Sequence, residues 1–533
     1  MKKGIVLLLF LITFASYSQE DAWVYFIDKP NSQYYFDHPL DMLSQRALDR
    51  RVTQQISLDL VDIPIHQPYV DQVEAATDIT VFAHSKWLNA VHVRGTKEAI
   101  TALRLLSFVD HIFFANRSLN RASKKENKVA AKVLETQTVY NYGNSANQIQ
   151  MLNGHFLHQQ NYTGSGKIIA IMDAGFPNVN TASPFQSLRS NNKILGGYNF
   201  VGRNTNFYSG SDHGTMVLST MGGYVDNQLV GTAPDASYYL FITEDVASEN
   251  PLEESLWVEA AEMADSLGVD VINTSLGYFD YDNSNYSYTR ADLNGTTSFI
   301  SRGADKAFSR GMIVVVSAGN SGASSNPYVA APADAIHVLT VGAVTSSKNY
   351  ASFSSIGPTF DGRVKPDVMA QGQSAVVANV SGNITTASGT SFSGPIIAGM
   401  VASFWQAFPN FTNAEVIQII KQSADRFATP NEQYGYGIPN FKSALDIALS
   451  NPQLNTAEFS LYPNPAKDFL TIAVPAVFES FRLRLYNNLG QIVLDQECNQ
   501  ESQSISVASL SKGIYFYTIA TPLVTKTGKL IKQ

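Results

Sequence analysis

Short, unbroken apolar runs recur through the middle of the chain, and longer ones follow some of them. The runs 168–172 and 313–316 are rich in Ile and Val and only four to five residues long, which is typical of strands buried on both faces. The run 396–404 is longer and contains fewer β-branched residues, so it predicts a buried helix. The central part of the chain therefore has the pattern of a buried sheet with packed helices.

The N-terminus has the pattern of an export signal. Lys2 and Lys3 precede an apolar stretch over 4–12, and small residues at 15–18 predict cleavage before Gln19. A membrane anchor is the alternative, but this stretch is shorter than the ~20 residues that a spanning helix needs. We expect a signal peptide over 1–18 and an exported, soluble mature protein.

Residues 19–127 alternate strand and helix patterns. Apolar runs at 23–27, 87–93 and 111–115 predict strands, and 40–51 and 97–108 predict helices. This order indicates a small α+β domain. The polar stretch 116–127, which contains two lysines, is expected to be an exposed linker.

The composition changes again after Asn451-Pro452. Residues 481–486 alternate apolar and polar positions, as in a half-buried strand, and turn-like residues separate several such runs. A third domain, rich in strands and able to fold alone, is expected over 457–533.

Charge and cysteine content narrow the class of protein. The 533 residues carry 45 acidic and 37 basic side chains, a net charge of −8, without a basic cluster. Nucleic acid is therefore not an expected partner. The single cysteine, Cys498, excludes an intrachain disulfide.

Four polar residues lie at the ends of predicted buried elements in the central region. Asp173 ends the strand 168–172, and Asn320 follows the strand 313–316 on a glycine-flanked loop. His213 and Ser391 each begin an apolar helix, where backbone N–H groups and the helix dipole favour a nearby anion. Taken singly, each has an ordinary explanation as a helix cap, a core histidine or a turn residue.

Together these stretches resemble the subtilases, the subtilisin-like serine proteases, in the order Asp, His, Ser. The resemblance rests on 173–175, 213–215, 313–322 and 389–395. It implies an α/β fold with a parallel sheet flanked by helices. It also implies a catalytic triad of Asp173, His213 and Ser391, with Asn320 in the oxyanion hole.

The segment Ser275, Leu276 and Gly277 resembles the family strand that pairs with the substrate backbone. The loop 278–294, which follows it and is rich in Tyr, either shapes specificity at the surface or packs on its own aromatic rings. One departure concerns the triad: Ala174 stands where the family usually has Ser or Thr, so Asp173 loses a potential donor. Gln371 stands in place of a usual proline.

The flanking domains also resemble known modules. Residues 19–127 resemble a propeptide that chaperones folding and inhibits the enzyme until cleaved, with an unrelated accessory domain as the alternative. The opening Tyr462–Pro465, the run 513–516 and the basic end resemble the C-terminal sorting domain of the type IX secretion system of Bacteroidetes, a β-sandwich. An adhesive module is the alternative. The expected catalytic domain spans 140–450.

The resemblance implies a secreted serine endopeptidase, made as a zymogen, that hydrolyses peptide bonds. The alternative from another class is an inactive subtilase-fold adhesin or binding protein, whereas an esterase would need a Gly-x-Ser-x-Gly elbow, which Ser391 lacks. No cofactor or metal is expected for the chemistry. Structural calcium is left open, although no loop has the spaced ligands of a calcium-binding motif. Expected partners are protein or peptide substrates and the outer-membrane secretion machinery, without a transmembrane anchor. The expected location is the cell surface or medium, reached through the periplasm of a Gram-negative bacterium.

Overall fold

The computed structural model describes residues 19–120, 140–450, 460–473, 481–487, 491–498, 502–520 and 525–533. The expected signal peptide, over 1–18, and most of the expected linker lie outside the described residues. We refer to residues 19–120, 140–450 and 460–533 as the N-terminal, central and C-terminal regions. One compact unit holds the N-terminal region and the central region up to Leu445, and another holds Asp446–Gln533.

A parallel sheet of seven strands forms the core of the central region. Its order is β13-β12-β11-β10-β5-β9-β6, and every neighbouring pair is parallel. The apolar runs 168–172 and 313–316 form two of its buried strands, as their composition predicts. The strands of this region, including four in two small hairpins, are β5 Ile168–Asp173, β6 Ile194–Asn199, β7 Tyr224–Val225, β8 Leu229–Val230, β9 Ser237–Ile242, β10 Val271–Thr274, β11 Ile313–Ser317, β12 Leu339–Val344, β13 Val368–Gln371, β14 Ala375–Ala378 and β15 Ile384–Ala387.

Helices pack against the sheet. The apolar run 396–404 lies inside the longest described helix, α11, which packs against β10, β11, β12 and β13. Two others, α9 and α10, share a separate hydrophobic cluster with side chains from β5, β10 and β11. The helices of the region are α5 Ala146–Gln150, α6 His155–His158, α7 Gln186–Ser190, α8 His213–Gly222, α9 Leu252–Leu267, α10 Phe299–Ser309, α11 Thr390–Ala407, α12 Asn413–Gln422 and α13 Phe441–Leu449.

The N-terminal region is an antiparallel sheet of order β2-β3-β1-β4 with its own apolar core. Its elements are β1 Gln19–Phe26, α1 Ser32–Asp37, α2 Gln45–Thr53, α3 Gln67–Glu74, β2 Ile79–Ser85, β3 Ala90–Thr96, α4 Lys97–Ala102 and β4 Val109–Phe114. The sheet packs on α9 and α10: the Trp23 ring stacks on Phe299 at 4.9 Å, and its Nε1 donates to Ser255 at 2.8 Å.

Three sequence-based boundaries in this region were wrong. The helix predicted over 40–51 begins only at Gln45, where the Ser44 side chain accepts the Ala47 N–H as an N-cap. The strand predicted over 87–93 begins at Ala90, after a turn. The helix predicted over 97–108 ends at Ala102, where a 3₁₀ turn takes over.

The C-terminal region is rich in strands, as expected. It contains two antiparallel sheets, of order β16-β17-β20 and β19-β18-β21-β22, and both contribute to one apolar cluster. The strands are β16 Ser460–Tyr462, β17 Phe469–Ala473, β18 Phe481–Tyr486, β19 Ile492–Cys498, β20 Ser502–Ser506, β21 Gly513–Ala520 and β22 Thr525–Lys532. In the part of the chain that the structure describes, no helix is long and apolar enough to cross a bilayer.

Candidate active site

The predicted site residues gather at one edge of the central sheet. Asp173 is the last residue of β5, Ser275 follows β10, and Asn320 lies three residues beyond β11. These three strands are neighbours and run parallel. Their C-terminal ends therefore share the edge at which open α/β sheets present functional groups.

Asp173 and His213 form a hydrogen-bonded pair. Asp173 is fully buried, and its Oδ1 lies 2.8 Å from Nδ1 of His213, the first residue of α8. The Ala174 backbone N–H donates to the same oxygen at 2.7 Å. Since Nδ1 faces a carboxylate, it carries the ring proton, which leaves Nε2 as the acceptor. The negative charge of Asp173 raises the pKa of His213 above its ordinary 6.5, although burial opposes this.

Ser391 lies in the first turn of α11, next to this pair. The ring of Phe392, the following residue, lies 6.0 Å from the His213 ring. The Ser391 Oγ is 3.5 Å from the carbonyl oxygen of Ser275, and among the described residues no hydrogen bond joins it to His213. A nucleophile and its base are often this loosely placed without substrate, because the contact tightens when substrate binds.

Asn320 directs its amide nitrogen to the space beside Ser391. Its Oδ1 accepts the Thr390 backbone N–H at 2.9 Å and the Thr390 hydroxyl at 3.1 Å. A backbone N–H can only donate, so the side-chain oxygen must face Thr390 and Nδ2 must face away. A Cβ placed on Gly389 would lie 3.6 Å from Asn320 Nδ2 and 3.7 Å from the Ser391 backbone nitrogen. Two donors thus border one small space, which is open because residue 389 has no side chain.

The start of α11 is fixed by the side chains of Ser317, Thr390 and Ser275, of which the sequence singled out only Ser275, as a substrate-binding residue. Thr390 accepts a hydrogen bond from the Ser317 hydroxyl on its carbonyl at 2.8 Å, and from the Gly319 N–H on its hydroxyl at 3.2 Å. The Ser275 hydroxyl donates to the Ser391 carbonyl at 3.1 Å. The signal that could have found Ser317 is its position: like Asp173, it is the last residue of one of the neighbouring parallel strands.

The segment Ser275–Gly277 leaves backbone groups free. Among the described residues, neither Leu276 nor Gly277 makes a backbone hydrogen bond, and Gly277 is exposed. The next residue, Tyr278, pairs with Ala331 through two backbone hydrogen bonds of 2.8 and 3.2 Å. The segment directly after β10 therefore presents backbone groups that have no backbone partner among the described residues.

The loop 278–294 is packed rather than free at the surface. Four of its tyrosines, at 278, 281, 286 and 288, are at most 6% exposed. The buried carboxylate of Glu254, on α9, accepts the hydroxyls of Tyr281 and Tyr288 at 2.6 Å each and the Ile300 N–H at 2.9 Å. Of the two alternatives left open by the sequence, the structure favours a loop packed through its own aromatics, anchored on α9.

A carboxylate cluster beside this loop was not found from the sequence, because its members are spread over a connection without a motif. Oxygens of Glu244, Glu249 and Glu253 lie within 4.8 Å of one another, close enough to hold a metal ion. Tyr278 donates to Glu244 at 2.8 Å. Burial raises the pKa of Glu249 to about 7 and that of Glu253 to about 8, so these groups hold protons near neutral pH.

Two departures from the family pattern have visible outcomes. Asp173 Oδ2 is buried without a hydrogen-bond partner in the described structure, as expected when Ala174 supplies no hydroxyl. Gln371, in place of the usual proline, ends β13 and accepts a hydrogen bond from Asn147 at 2.7 Å. Neither change displaces the Asp173–His213 pair.

Two other histidines of the central region, His158 and His337, have structural contacts. His158 is fully buried between the Tyr142 hydroxyl, at 2.9 Å, and the Thr232 carbonyl, at 3.0 Å, and burial lowers its pKa to about 4. His337 lies just before β12, where its ring stacks on Phe308. The Asp305 side chain accepts the His337 backbone N–H at 2.7 Å.

Comparison with known proteins identifies each part of the chain. The model of the subtilase family matches residues 164–437, just over half of the chain. A model described as the peptidase S8 propeptide domain of Bacteroidota matches residues 21–131. A model described as a secretion system C-terminal sorting domain matches residues 460–533.

Several curated proteins that the chain resembles are bacterial subtilisins or serine proteases. Subtilisin NAT of Bacillus subtilis subsp. natto is 33% identical over 325 residues, which cover 60% of this chain and 76% of that protein. Subtilisin DY of Bacillus licheniformis is 31% identical over 56% of this chain and 97% of its own length. Serine protease AprX of Bacillus subtilis is 28% identical over 54% of this chain and 67% of its own length.

Among solved structures, MycP1 with its N-terminal propeptide removed aligns over 56% of this chain and 96% of its own, at 24% identity and a TM-score of 0.45. The family is shown by the sequence matches and by the parallel sheet flanked by helices. The sorting domain marks a secreted or cell-surface protein of a Bacteroidota cell. The chain thus belongs to the subtilase family, as a subtilisin-like serine protease with an N-terminal propeptide domain and a C-terminal secretion sorting domain.

Proposed function

We propose that this protein is a secreted serine endopeptidase, made as a proenzyme, whose triad is Asp173, His213 and Ser391. The observation that carries the proposal is the 2.8 Å contact between Asp173 and His213 beside Ser391, at the edge where β5, β10 and β11 end. The arrangement matches the roles that an acyl-transfer site needs: a nucleophile, a base and a group that orients the base.

In the proposed first step, the Ser391 Oγ attacks the carbonyl carbon of the scissile peptide bond. His213 Nε2 takes the hydroxyl proton and then gives it to the leaving amine, so the peptide bond breaks and an acyl-enzyme remains. Asp173 keeps the ring in the required tautomer and stabilises the imidazolium. Water then attacks the acyl-enzyme by the same route, which releases the acid and restores Ser391.

The carbonyl oxygen becomes an oxyanion during each attack. We assign its two donors as Asn320 Nδ2 and the backbone N–H of Ser391, which border the space in front of Gly389. Because these donors are held by Thr390 and by the start of α11, they need little reorganisation as the charge develops.

We assign substrate main-chain binding to the open edge at Ser275, Leu276 and Gly277. An extended peptide added there forms backbone hydrogen bonds that do not depend on its sequence. We assign residues 329–333 to the site of the substrate side chain before the cut bond, since the Ala330 Cβ lies 3.9 Å from the position of a Cβ on Gly277.

We assign the remaining parts of the chain to maturation and export. The proposed divisions are a signal peptide over 1–18, a propeptide over 19–127 that inhibits until cleaved, a catalytic domain over 140–450 and a sorting domain over 457–533. The sorting domain is recognised by outer-membrane secretion machinery and takes no part in catalysis, since the four proposed catalytic residues precede residue 392.

The test is labelling of the purified mature enzyme with a fluorophosphonate probe, together with casein hydrolysis. Wild type should be labelled and active, and Ser391→Ala should lose both properties. Ser388→Ala is the matched control, because Ser388 is an exposed serine three residues away. Casein turnover by Ser391→Ala near the wild-type rate would overturn the assignment. A wild-type protein that folds but takes no label would favour the alternative, an inactive binding protein.

A further inference from the structure

Two peptide units meet at the Cα of Ser391, and a serine hydroxyl from the central sheet donates to each of them. The unit before this Cα contains the Thr390 carbonyl, which accepts the Ser317 hydroxyl at 2.8 Å. The unit after it contains the Ser391 carbonyl, which accepts the Ser275 hydroxyl at 3.1 Å. Ser317 ends β11, and Ser275 follows the neighbouring strand β10. Because the two planar units set the backbone angles at Ser391, these hydroxyls also set the direction of its side chain.

Pro395 explains why the Ser391 carbonyl takes a donor from outside its helix. In an α-helix this carbonyl accepts the N–H of the residue four positions further along the chain. That residue is Pro395, which lies inside α11. Proline has no N–H, and its ring crowds the carbonyl four residues before it. The Ser275 hydroxyl thus donates to the one carbonyl that this proline deprives of its helical partner.

The Thr390 carbonyl has more donors within reach. The residue four positions beyond it is Gly394, which has a backbone N–H, and the Ser393 hydroxyl donates to the same carbonyl at 3.1 Å. Space for the Ser317 hydroxyl depends on Gly394, because a Cβ there would lie 2.6 Å from the Ser317 Oγ. Loss of the Ser317 hydroxyl should therefore disturb the backbone less than loss of the Ser275 hydroxyl.

Asn273 fixes the direction of the Ser275 proton. It is fully buried in β10, and its Nδ2 donates to the Ser275 Oγ at 3.2 Å. A carbonyl oxygen can only accept, so the single hydroxyl proton of Ser275 lies towards Ser391. The Ser275 oxygen must then accept from Asn273, which places Nδ2 at this contact. The hydrogen bonds therefore run in one direction, from Asn273 through Ser275 to the Ser391 carbonyl.

Burial makes these contacts hard to replace. The exposed fractions of Ser275 and Ser317 are 6% and 5%, and a buried carbonyl that loses its donor keeps the cost of having left water. Ser391 has two tasks in the proposed reaction, since its Oγ attacks and its N–H is one of the oxyanion donors. A rotation of either peptide unit moves one of these groups, and a displacement of about 1 Å costs on the order of 10²-fold in rate.

We propose that Ser275 and Ser317 are positioning residues, whose hydroxyls hold the backbone on the two sides of the Ser391 Cα, and that Asn273 orients the first of them. The proposal rests on the proposed function, because it takes Ser391 as the nucleophile. It deepens that function by giving the Ser275 side chain a role in turnover that is separate from main-chain binding of the substrate.

The experiment measures kcat and KM on a peptide anilide, and the rate constant of fluorophosphonate labelling, per titrated active site of the mature enzyme. Ser275→Ala and Ser317→Ala are each made in the wild type and in Pro395→Ala, which restores an N–H at residue 395. The matched control is Ser403→Ala. Ser403 is a fully buried serine about three turns further along α11, and its hydroxyl donates to the Thr232 carbonyl at 2.8 Å.

We expect Ser275→Ala to lower kcat and the labelling rate constant about tenfold and to leave KM within about twofold of wild type. Ser317→Ala should lower both rate constants about threefold, since other donors to the same carbonyl remain. In the Pro395→Ala background, the effect of Ser275→Ala should shrink to less than about threefold, because the restored N–H serves the freed carbonyl. The effect of Ser317→Ala should not change there, and Ser403→Ala should match the wild type.

A kcat for Ser275→Ala within about twofold of wild type would overturn the proposal. So would an undiminished loss in the Pro395→Ala background, because a serine that acts only by packing does not depend on the N–H at residue 395. An equal loss with Ser403→Ala would also count against it. If Ser275→Ala yields no titratable sites, Asn273→Ala decides in its place and must show the same dependence on residue 395. A wild type that takes no label would instead overturn the proposed function itself.

Discussion

Replacing Asn320 with alanine tests the proposed oxyanion hole most directly. The change removes Nδ2, one of the two donors that border the space in front of Gly389, and leaves the Ser391 backbone N–H. Loss of one such donor typically lowers kcat about 10²–10³-fold, which corresponds to about 2.7–4 kcal/mol of transition-state stabilisation. KM should change little, because the donor acts on charge that develops only during attack.

The same change also disturbs the start of α11. Asn320 Oδ1 accepts two hydrogen bonds from Thr390, which is 1% exposed, and leaving such buried donors unpaired lowers the free energy of unfolding by about 1–3 kcal/mol. The control is Asn320→Asp, which keeps the acceptor for Thr390 but lacks the donor and adds a negative charge. If the donor matters, Asn320→Asp should be at least as slow as Asn320→Ala.

The assay is kcat and KM on a chromogenic peptide anilide, with active sites counted by titration with a fluorophosphonate. The titration shows whether a lower rate comes from slower turnover at each active site or from a smaller fraction of folded enzyme. A fall in kcat of less than about fivefold with Asn320→Ala would refute the assigned donor role. Recovery of wild-type turnover with Asn320→Asp would show that the residue acts only by holding Thr390.

Four further outcomes follow from the site. Gly389→Ala should lose most turnover in the same assay, because its methyl group lies between the two oxyanion donors and because a side chain at a φ of +155° strains the backbone at the start of α11. Near-normal turnover would contradict this. Activity should rise with pH through a midpoint above 6.5, since the charge of Asp173 raises the pKa of His213. In a pH–rate profile, Asp173→Asn should move this midpoint to lower pH, and the same change should lower kcat by about 10⁴-fold. The pKa of Glu253 is raised from 4.5 to about 8, so the folded state holds its proton more tightly. The stability that protonated Glu253 contributes is complete below pH 4.5 and is lost as the pH rises through about 8. In thermal unfolding measured across this pH range, the stability of Glu253→Gln should fall less than that of the wild type. Peptide-library cleavage should favour large apolar residues before the cut bond, because 329–333 contains no acidic residue, and a preference for Lys or Arg would contradict it.

The sequence predicted the central region well because five strands of its main sheet, β5 and β10 to β13, are buried along their whole length. A strand buried on both faces has apolar side chains on both faces, so it is visible in the sequence as a run of Ile and Val. A polar residue at the end of such a run, such as Asp173, is therefore easy to recognise. The short motifs around Asp173, His213 and Ser391 follow one another along the chain in the order Asp, His, Ser, which differs from the order in other triad folds. The sheet and the approximate places of the site residues were therefore predictable.

What the sequence did not predict depends on contacts between distant segments. The pairing of Arg50 with Asp265 joins residues 215 positions apart, and a charged helix of this kind is equally typical of a solvated surface. The cluster of Glu244, Glu249 and Glu253 depends on how one loop folds, and strand starts in the N-terminal region depend on turns such as 86–89. Side-chain periodicity contains none of this information.

The carboxylate of Glu254 has a consequence for how the loop 278–294 behaves once the N-terminal region has left. It holds Tyr281, Tyr288 and the first turn of α10 from inside the enzyme's own core, whereas Arg117 and the Asp21 N–H, which donates to the Tyr286 hydroxyl at 3.2 Å, reach the same loop from the N-terminal region. Departure of the N-terminal region therefore removes the outer supports and leaves the inner ones. Loss of the N-terminal region should therefore loosen the side of loop 278–294 that faces that region, while the side held by Glu254 stays fixed.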